Sequence, residues 1–266
     1  MRTLDSIAIE LKDALTEGVR DGNFPSLPYS EGDDLPEAWK RLSERDEPRL
    51  RLSFGSRCPR RMWYSHHKPE TAIPPDPEAF VGFSMGDWWE LIAYHAISTR
   101  LVLNKSNLDL SMRGREVEMD GIKGHIDGLV SQRHESIEHL FGGPSYVVDF
   151  KSTSKWVHRR WENGMPDPTW GYLHQAANYM EALRQDGAEV EGFIWIVYLK
   201  DVGGFETGIA SREQLAPYLT ESRDFFEKAK ADTPPPRCEG YPDSAPCRGK
   251  ARVYCPFYTT CENDHA

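Results

Sequence analysis

The sequences GHIDG at residues 124–128 and VVDFK at residues 147–151 decide the fold of this chain. The first lies within a strand-like run over residues 122–130, and the second ends a run of β-branched and aromatic residues that begins at Ser145. We predict that both runs are β-strands and that they pair with each other. Apolar residues precede the Asp-x-Lys of the second stretch, so its charges are expected to stand at the end of a largely buried strand.

Two carboxylates and a lysine share one face of this predicted strand pair. Side chains alternate along a strand, so Asp149 and Lys151 point the same way, and pairing brings Asp127 beside Asp149. Burying two adjacent carboxylates without a partner is costly, whereas a hard cation such as Mg²⁺ prefers oxygen ligands and removes the cost. With a lysine that can hold a water or a phosphate oxygen, the set predicts phosphodiester hydrolysis by a metal-activated water. The alternative is a hairpin edge whose charges are merely solvated.

The composition predicts a soluble protein that works inside the cell. The chain has 266 residues, of which 39% are hydrophobic and 11% aromatic, which suits one packed core with appendages. No apolar run reaches membrane-spanning length, and the N-terminal stretch lacks the apolar centre of a signal peptide. The net charge of -10 argues against a general nucleic-acid coat. Basic residues nevertheless cluster at residues 57–68, 151–160 and 248–252, which is compatible with an enzyme that has a basic channel.

Periodicity and turn signals divide the chain into three segments. We predict a helical arm and linker over residues 1–50, an α/β core over residues 51–232 and a Cys-rich segment over residues 233–266. An Asp-Gly turn at residues 120–121 joins two predicted strands. The run at residues 190–199 lacks alternation, so we expect it to be central and covered on both faces. The predicted elements are helices over residues 4–19, 76–100, 167–186 and 211–231, and strands over residues 115–119, 122–130, 145–150, 190–199 and 205–210.

The long helix predicted over residues 76–100 carries a third candidate carboxylate. Glu90 lies within the apolar run WWELI, so it is expected to be either paired or a metal ligand. The alternative is a salt-bridged glutamate on the surface. Gly82 and Gly86 interrupt this helix, and we expect another backbone to pack closely against them.

The helix predicted over residues 167–186 carries a polar pair. Gln175 and Tyr179 are four residues apart and therefore share a helix face. Both side chains can hydrogen-bond a phosphate or the edge of a base. An amphipathic helix with a polar seam is the competing interpretation of this segment.

Cysteines are concentrated after the triple proline at residues 234–236. In an intracellular chain such a group predicts a metal or an iron–sulfur cluster rather than disulfides. The fifth cysteine, Cys58, precedes a proline suited to a first helical turn and is expected at a helix entrance. Two assignments stay open, namely zinc held by the four tail cysteines, or an iron–sulfur cluster held by Cys58 and three of them. The tail cysteines are Cys238, Cys247, Cys255 and Cys261.

Together, these motifs resemble the RecB-like branch of the PD-(D/E)XK nuclease superfamily, in particular the iron–sulfur nucleases of CRISPR adaptation and their phage relatives. The resemblance covers roughly residues 51–261. At Glu90 the family often has His, and at Arg252 it usually has Cys, so the third cluster ligand would be Cys247 or Cys238. The matching motifs, in order, are CPRR from Cys58, Gly86-x-x-x-Glu90, GHIDG, DFK, Gln175-x-x-x-Tyr179 and the Cys255–Cys261 pair.

The resemblance implies an α/β fold with a restriction-endonuclease-like core, in which helices flank a central mixed β-sheet and a Cys-rich C-terminal segment binds a cluster. It implies that Asp127 and Asp149 bind Mg²⁺ or Mn²⁺, helped by the Phe150 carbonyl and Glu90. It implies that Lys151 positions the attacking water or stabilises the charge that develops on the phosphate. It implies that Gln175 and Tyr179 steady the scissile region of the substrate. It also implies a structural cluster of the 4Fe–4S type, held by Cys58, Cys247, Cys255 and Cys261.

The expected function is that of a metal-dependent DNA exonuclease acting on single-stranded or end-containing DNA. The alternatives are an endonuclease of the same superfamily and a non-catalytic DNA-binding module with a zinc site. Expected partners are DNA and a recombination or CRISPR-type protein, with no membrane, in the cytoplasm of a bacterial or phage-infected cell. Trp156, Trp161 and Trp170 lie near the site in sequence and are candidates either for stacking on bases or for the core.

Overall fold

A five-stranded mixed sheet forms the centre of the protein. The computed structural model describes residues 3–21, 50–54, 58–73, 77–132, 144–168, 171–237 and 255–264, with side chains in the helix over residues 77–103 described from Met85 onward. The strand order is β1-β4-β5-β6-β7, with β5 and β6 parallel and the other neighbours antiparallel. The strands are β1 (Leu108–Ser111), β2 (Arg115–Met119), β3 (Ile122–Ile126), β4 (Gly128–Gln132), β5 (Ser145–Thr153), β6 (Val190–Leu199) and β7 (Gly204–Ser211).

Helices cover both faces of this sheet, which confirms the predicted α/β architecture. On one face, α5 and α6 pack with the β2–β3 hairpin, and on the other face α1 and α3 form a second core. Across the described ranges, no helix combines the length and apolarity that a bilayer crossing requires. The helices are α1 (Leu4–Arg20), α2 (Pro59–His67), α3 (Pro77–Leu103), α4 (Lys155–His158), α5 (Tyr172–Gln185), α6 (Arg212–Lys230) and α7 (Tyr258–Asn263), with 3₁₀ turns at Leu52–Phe54 and Pro69–Thr71.

Strand β6 divides the two cores. Phe193 and Trp195 belong to the core under α5 and α6, while Ile194 and Ile196 belong to the core under α1 and α3. Because successive side chains of a strand point to opposite faces, a strand with two buried faces needs apolar residues at every position. The absence of alternation in this run therefore predicted its central place correctly.

The strand predicted over residues 122–130 is wrong in one respect, because it breaks at Asp127. Among the described strands, β3 pairs with β2, across a turn in which Asp120 and Gly121 have φ of 53° and 78°, while β4 belongs to the main sheet. The break has a physical cause in the side chain of Asp127, whose Oδ2 accepts the backbone N–H of Phe150 at 2.8 Å. A side chain thus satisfies a β5 donor just beyond the last β4–β5 pair.

The sequence predicted the start of α6 correctly but placed the start of α5 too early. The helix predicted from residue 167 begins at Tyr172 because Gly171, with φ of 76°, takes the left-handed conformation at the N-cap. The helix predicted from residue 211 begins where expected. Ser211 accepts the N–H of Gln214, and the Gln214 side chain accepts the N–H of Ser211, which completes a capping box.

Helix α1 is built into the second core. Ile7, Leu11 and Leu15 have no exposed surface, and Gly18 allows α1 to approach α3 closely. A Cβ at Gly18 would lie 2.7 Å from the carbonyl oxygen of Ala96. The predicted division of the chain at residues 50 and 232 stays a prediction.

The close packing expected at Gly86 is wrong. A Cβ at this position would meet no described atom within 4 Å, so Gly86 leaves open space where Gly18 leaves none. The physical difference is that Gly18 faces the neighbouring helix.

The two helical glycines therefore predict opposite effects on stability. Gly18→Ala should lower the free energy of unfolding by about 1–3 kcal/mol, because its new methyl group is forced against the α3 backbone. Gly86→Ala should leave it unchanged or raise it by up to about 1 kcal/mol, through helix propensity. Urea denaturation of both variants measures the difference, and equal effects would contradict the described α1–α3 packing.

Candidate active site

Strand register places two carboxylates side by side. In the antiparallel β4–β5 pair, Gly128 lies opposite Val148, so Asp127 at the bend before Gly128 lies next to Asp149. Asp149 is 1% exposed, whereas Asp127 is only half-buried. The pair therefore stands at the boundary between the core and solvent, as the sequence predicted despite the break in the strand.

Asp149 is the centre of a hydrogen-bond network. Lys151 Nζ donates to Asp149 Oδ1 at 2.5 Å, and Gln175 Nε2 donates to the same oxygen at 3.3 Å. Lys151 comes from the same strand, two residues on, and Gln175 comes from α5. Four of the predicted site residues thus meet at one place, since Asp127 is the neighbour of Asp149.

Burial and mutual repulsion shape the charges of this pair. Burial raises the pKa of Asp127, and the neighbouring Asp149 raises it further against the opposing effect of Lys151. Burial also raises the pKa of Asp149, although Lys151 counteracts it. Burial disfavours the charged form of Lys151, but the two carboxylates outweigh it and raise the pKa of the ammonium. A divalent cation would favour the ionised forms of both carboxyl groups, which burial and, for Asp127, the charge of Asp149 disfavour.

The ring of Tyr179 packs against the backbone of the GHIDG stretch at Gly124. Its ring is 4% exposed and lies against Gly124, where a Cβ would be 2.7 Å from Tyr179 Cε1. Burial, and then the charges of Asp127 and Asp149, raise the pKa of Tyr179 to about 12. The phenol therefore stays protonated near neutral pH and keeps its capacity to donate a hydrogen bond.

Glu90 lies close enough to feel the charges of the site. It is half-buried on α3, and its carboxylate pairs with Arg113, at 3.4 Å between Nη2 and Oε1. Burial raises the pKa of Glu90; Arg113 opposes this, and Asp87 and Asp149 add to it. Among the described residues, no group of three or more His, Cys, Asp or Glu side chains is placed to hold a metal ion. A metal-binding role for Glu90 therefore stays a prediction.

Phe150 uses its backbone and its side chain in different ways. Its N–H is bonded to Asp127, while its ring is buried in the core under α1 and α3. The role of its carbonyl as a metal ligand stays a prediction.

Two residues near the site were missed in the sequence. Tyr172 is the first residue of α5, and Lys151 Nζ lies 5.4 Å from the centre of its ring. Its position three residues before Gln175 was a usable signal, since both lie on one helix face. Arg113 follows β1 and gave no local signal, because its pairing with Glu90 is a tertiary contact.

Cys58 has the helix-entrance position predicted for it. It is the N-cap of α2, its Sγ accepts the N–H of Arg61 at 3.4 Å, and Pro59 is the first helical residue. The thiol is buried. Backbone N–H groups at a helix start favour a thiolate.

The segment 255–264 packs against α2 and thereby brings the Cys58 helix and the chain's last cysteines into one region. The rings of Tyr64 and Phe257 stack at 5.7 Å, and Cys255 and Cys261 pack against this aromatic group. Cys238 and Cys247, like Trp170, lie outside the described residues.

Polar contacts hold this segment in place. Arg60 is 1% exposed, pairs with Asp264 at 3.3 Å and donates to the carbonyl of Pro235 at 2.9 Å. The hydroxyl of Tyr64 donates to Asp264 at 2.6 Å, and Arg237 donates to the carbonyls of Cys261 and Asp264 at 2.7 and 2.8 Å. Protein groups alone therefore make many of the contacts that dock the C-terminal segment.

Comparisons with known proteins do not identify the function of this chain, so the functional assignment rests on the residues of the site. No protein-family model matches the chain, and no curated protein matches it. Similar solved structures include SSO0001, at 17% identity over 86% of this chain and 95% of that chain, with a TM-score of 0.45. An alkaline exonuclease from Laribacter hongkongensis, LHK-Exo, is 17% identical over 51% of this chain and 64% of its own, with a TM-score of 0.33. The LHK-Exo complex with dAMP is 16% identical over 70% and 94%, also at 0.33. With TM-scores below 0.5, these likenesses decide nothing about the chemistry of this chain.

Proposed function

We propose that this protein is a metal-dependent DNA nuclease, and specifically an exonuclease that acts on single-stranded or end-containing DNA. The observation that carries the proposal is the pair of adjacent carboxylates, buried Asp149 and half-buried Asp127, with the Lys151 ammonium 2.5 Å from Asp149. Two desolvated carboxylates repel each other, so a pair of this kind destabilises the fold unless a cation compensates their charge.

The proposed cation, Mg²⁺ or Mn²⁺, would be held by Asp127 and Asp149, with Glu90 and the Phe150 carbonyl as further candidate ligands. When bound, it supplies a Lewis acid for the phosphate and an activated water. The donor set fits such a cation, because the two carboxylates are adjacent and carboxylate oxygens are hard ligands. Asp127 is only half-buried, which leaves the pair open to solvent on one side.

The remaining groups prepare the phosphate site. The raised pKa of Lys151 keeps it charged, so its ammonium can orient a water or neutralise a phosphate oxygen. Gln175 holds Asp149 through its amide, and the ring of Tyr172 lies beside the lysine. Tyr179 remains a neutral donor that can bind a phosphate oxygen without charge.

The competing functions fit this site less well. An endonuclease of the same superfamily would use the same groups, and circular single-stranded DNA separates the two activities because an exonuclease needs an end. A non-catalytic DNA-binding module has no use for two adjacent carboxylates, because they repel phosphate. The proposed setting remains the cytoplasm of a bacterial or phage-infected cell, with a recombination or CRISPR-type protein as partner.

The site predicts loss of cleavage in two variants. Asp149→Asn and Lys151→Met should each lower the rate on 5′- and 3′-labelled single-stranded oligonucleotides at least about 100-fold, because each removes charge from the metal or phosphate site. Cleavage by the unmodified protein should require Mg²⁺ or Mn²⁺ and stop with EDTA.

Two surface variants serve as matched controls for these substitutions. Asp224→Asn and Lys123→Met alter exposed residues that pair with Lys228 and Glu116, and both should cleave normally. Full activity in Asp149→Asn or Lys151→Met, with the fold intact by circular dichroism, would overturn the proposed function. Cutting of a circular substrate would instead assign the endonuclease activity.

For the cysteines we propose a structural iron–sulfur cluster held by Cys58, Cys255, Cys261 and Cys247, with zinc as the alternative. The supporting observation is that three of these thiols lie on two segments that pack together, α2 and residues 255–264, although these three described thiols do not by themselves form a group placed to hold a metal ion. Thiolates are the donors that both groups require. The cluster would staple these segments and take no part in hydrolysis.

Protein purified without air should be brown and contain iron and sulfide, and Cys261→Ser should lose that colour and metal. Visible absorbance and metal analysis measure both. A matched control is Thr260→Ser, which keeps every thiol. Colourless protein that contains one equivalent of zinc would favour the zinc site over the iron–sulfur cluster. Protein that contains neither iron nor zinc would overturn both proposals.

A further inference from the structure

An indole stands exposed five positions after Lys151 of the candidate active site. Trp156 lies in α4, directly after β5, and 65% of its surface is accessible. One exposed apolar side chain is ordinary on a protein surface, so its surroundings decide its meaning.

Three basic side chains lie near this ring in the sequence, and one of them is paired with a carboxylate. The guanidinium of Arg160 lies 5.6 Å from the centre of the Trp156 ring, and Asp167 holds Arg160 at 2.5 Å. Lys155 and Arg159, on either side in the sequence, are both exposed. An aromatic ring among cations is the combination that binds single-stranded nucleic acid, in which bases stack and phosphates are neutralised.

The ring is presented by an ordered segment. Ser154 caps α4 by accepting the N–H of Val157 at 3.3 Å, and the N–H of Lys155 donates to Asp201 in the β6–β7 turn at 2.8 Å. A ligand that stacks on a ring held in this way loses less freedom than one that must first order a loop.

Trp161, five residues on, has a different role. It is half-buried and packs edge-on against Trp195, with ring centres 6.1 Å apart, and a Cβ at Gly208 would lie 2.5 Å from its ring. Trp161 anchors the segment in the core and leaves Trp156 as the exposed ring.

The exposed ring lies within reach of the cleavage site. Trp156 lies five positions after Lys151, so the Cα atoms of the two residues are at most about 18 Å apart. At a rise of about 3.4 Å per nucleotide, this Cα separation corresponds to about five stacked nucleotides. A strand with its scissile phosphate at Lys151 can therefore pass α4 with a base at Trp156.

We propose that Trp156 is a stacking platform for one base of a single DNA strand, with Lys155 and Arg159 facing its phosphates. The platform rests on the proposed nuclease function, to which it adds a position where single-stranded substrate is gripped. It favours unpaired DNA because a base inside a duplex offers no free face, and it is indifferent to sequence because every base has a π-face.

Fluorescence anisotropy with a labelled single-stranded oligonucleotide tests the platform in the Asp149→Asn protein, which binds without cutting. Adding Trp156→Ala should weaken binding roughly 5- to 150-fold, the loss expected for one base–aromatic stack. Trp156→Phe should retain most of the affinity. Val102→Ala, at a similarly exposed apolar residue on α3, should bind as the parent does.

A single abasic position moved along the oligonucleotide locates the stacked base. Affinity should drop at one position within about five nucleotides of the cut, and the drop should vanish in Trp156→Ala. Unchanged binding by Trp156→Ala, while the unmodified protein still cleaves, would overturn the platform and leave the nuclease standing. Trp156-dependent binding by a protein that never cleaves would support the platform and overturn the nuclease, and absence of DNA binding would overturn both.

Discussion

The hydrogen bond from the Phe150 N–H to Asp127 Oδ2 is the contact on which the site depends. It lets the chain leave β3 and enter β4 at a bend, so that the hairpin packs with α5 while β4 joins the main sheet. The same bond fixes one oxygen of Asp127 beside Asp149. One carboxylate therefore takes part both in the break of the strand and in the acidic pair, and a leucine or alanine at this position would have no side-chain oxygen to accept the Phe150 N–H.

Helix α5 completes the site from the opposite side. Tyr172, Gln175 and Tyr179 occur at spacings of three and four residues, so they form one stripe along the helix. That stripe meets Lys151, Asp149 and the bare backbone of Gly124, in that order. The glycine is required because a methyl group there would displace the Tyr179 ring. Two short motifs and one helix face thus specify a single buried network.

The sequence predicted what local rules govern and missed what only tertiary contacts decide. Alternation placed Asp149 and Lys151 on one face, and the unbroken apolar run predicted that β6 is an interior strand with both faces buried. The bend at Asp127 was missed because its cause is a bond to a residue 23 positions away. Arg113 was missed for the same kind of reason. The late start of α5 has a local cause instead, the left-handed conformation of Gly171 at its N-cap. The cysteine ligand set stays a prediction because two of its members lie outside the described residues.

Direct measurement of Mn²⁺ binding by electron paramagnetic resonance tests the central claim, that Asp127 and Asp149 form a cation site. The account predicts stoichiometric binding to the unmodified protein, and loss of binding in Asp127→Asn and Asp149→Asn. Because both carboxyl pKa values are raised, protons compete with the metal, so affinity should rise with pH. Equal, pH-independent binding by the unmodified protein and both variants would contradict the account, as would no binding at all.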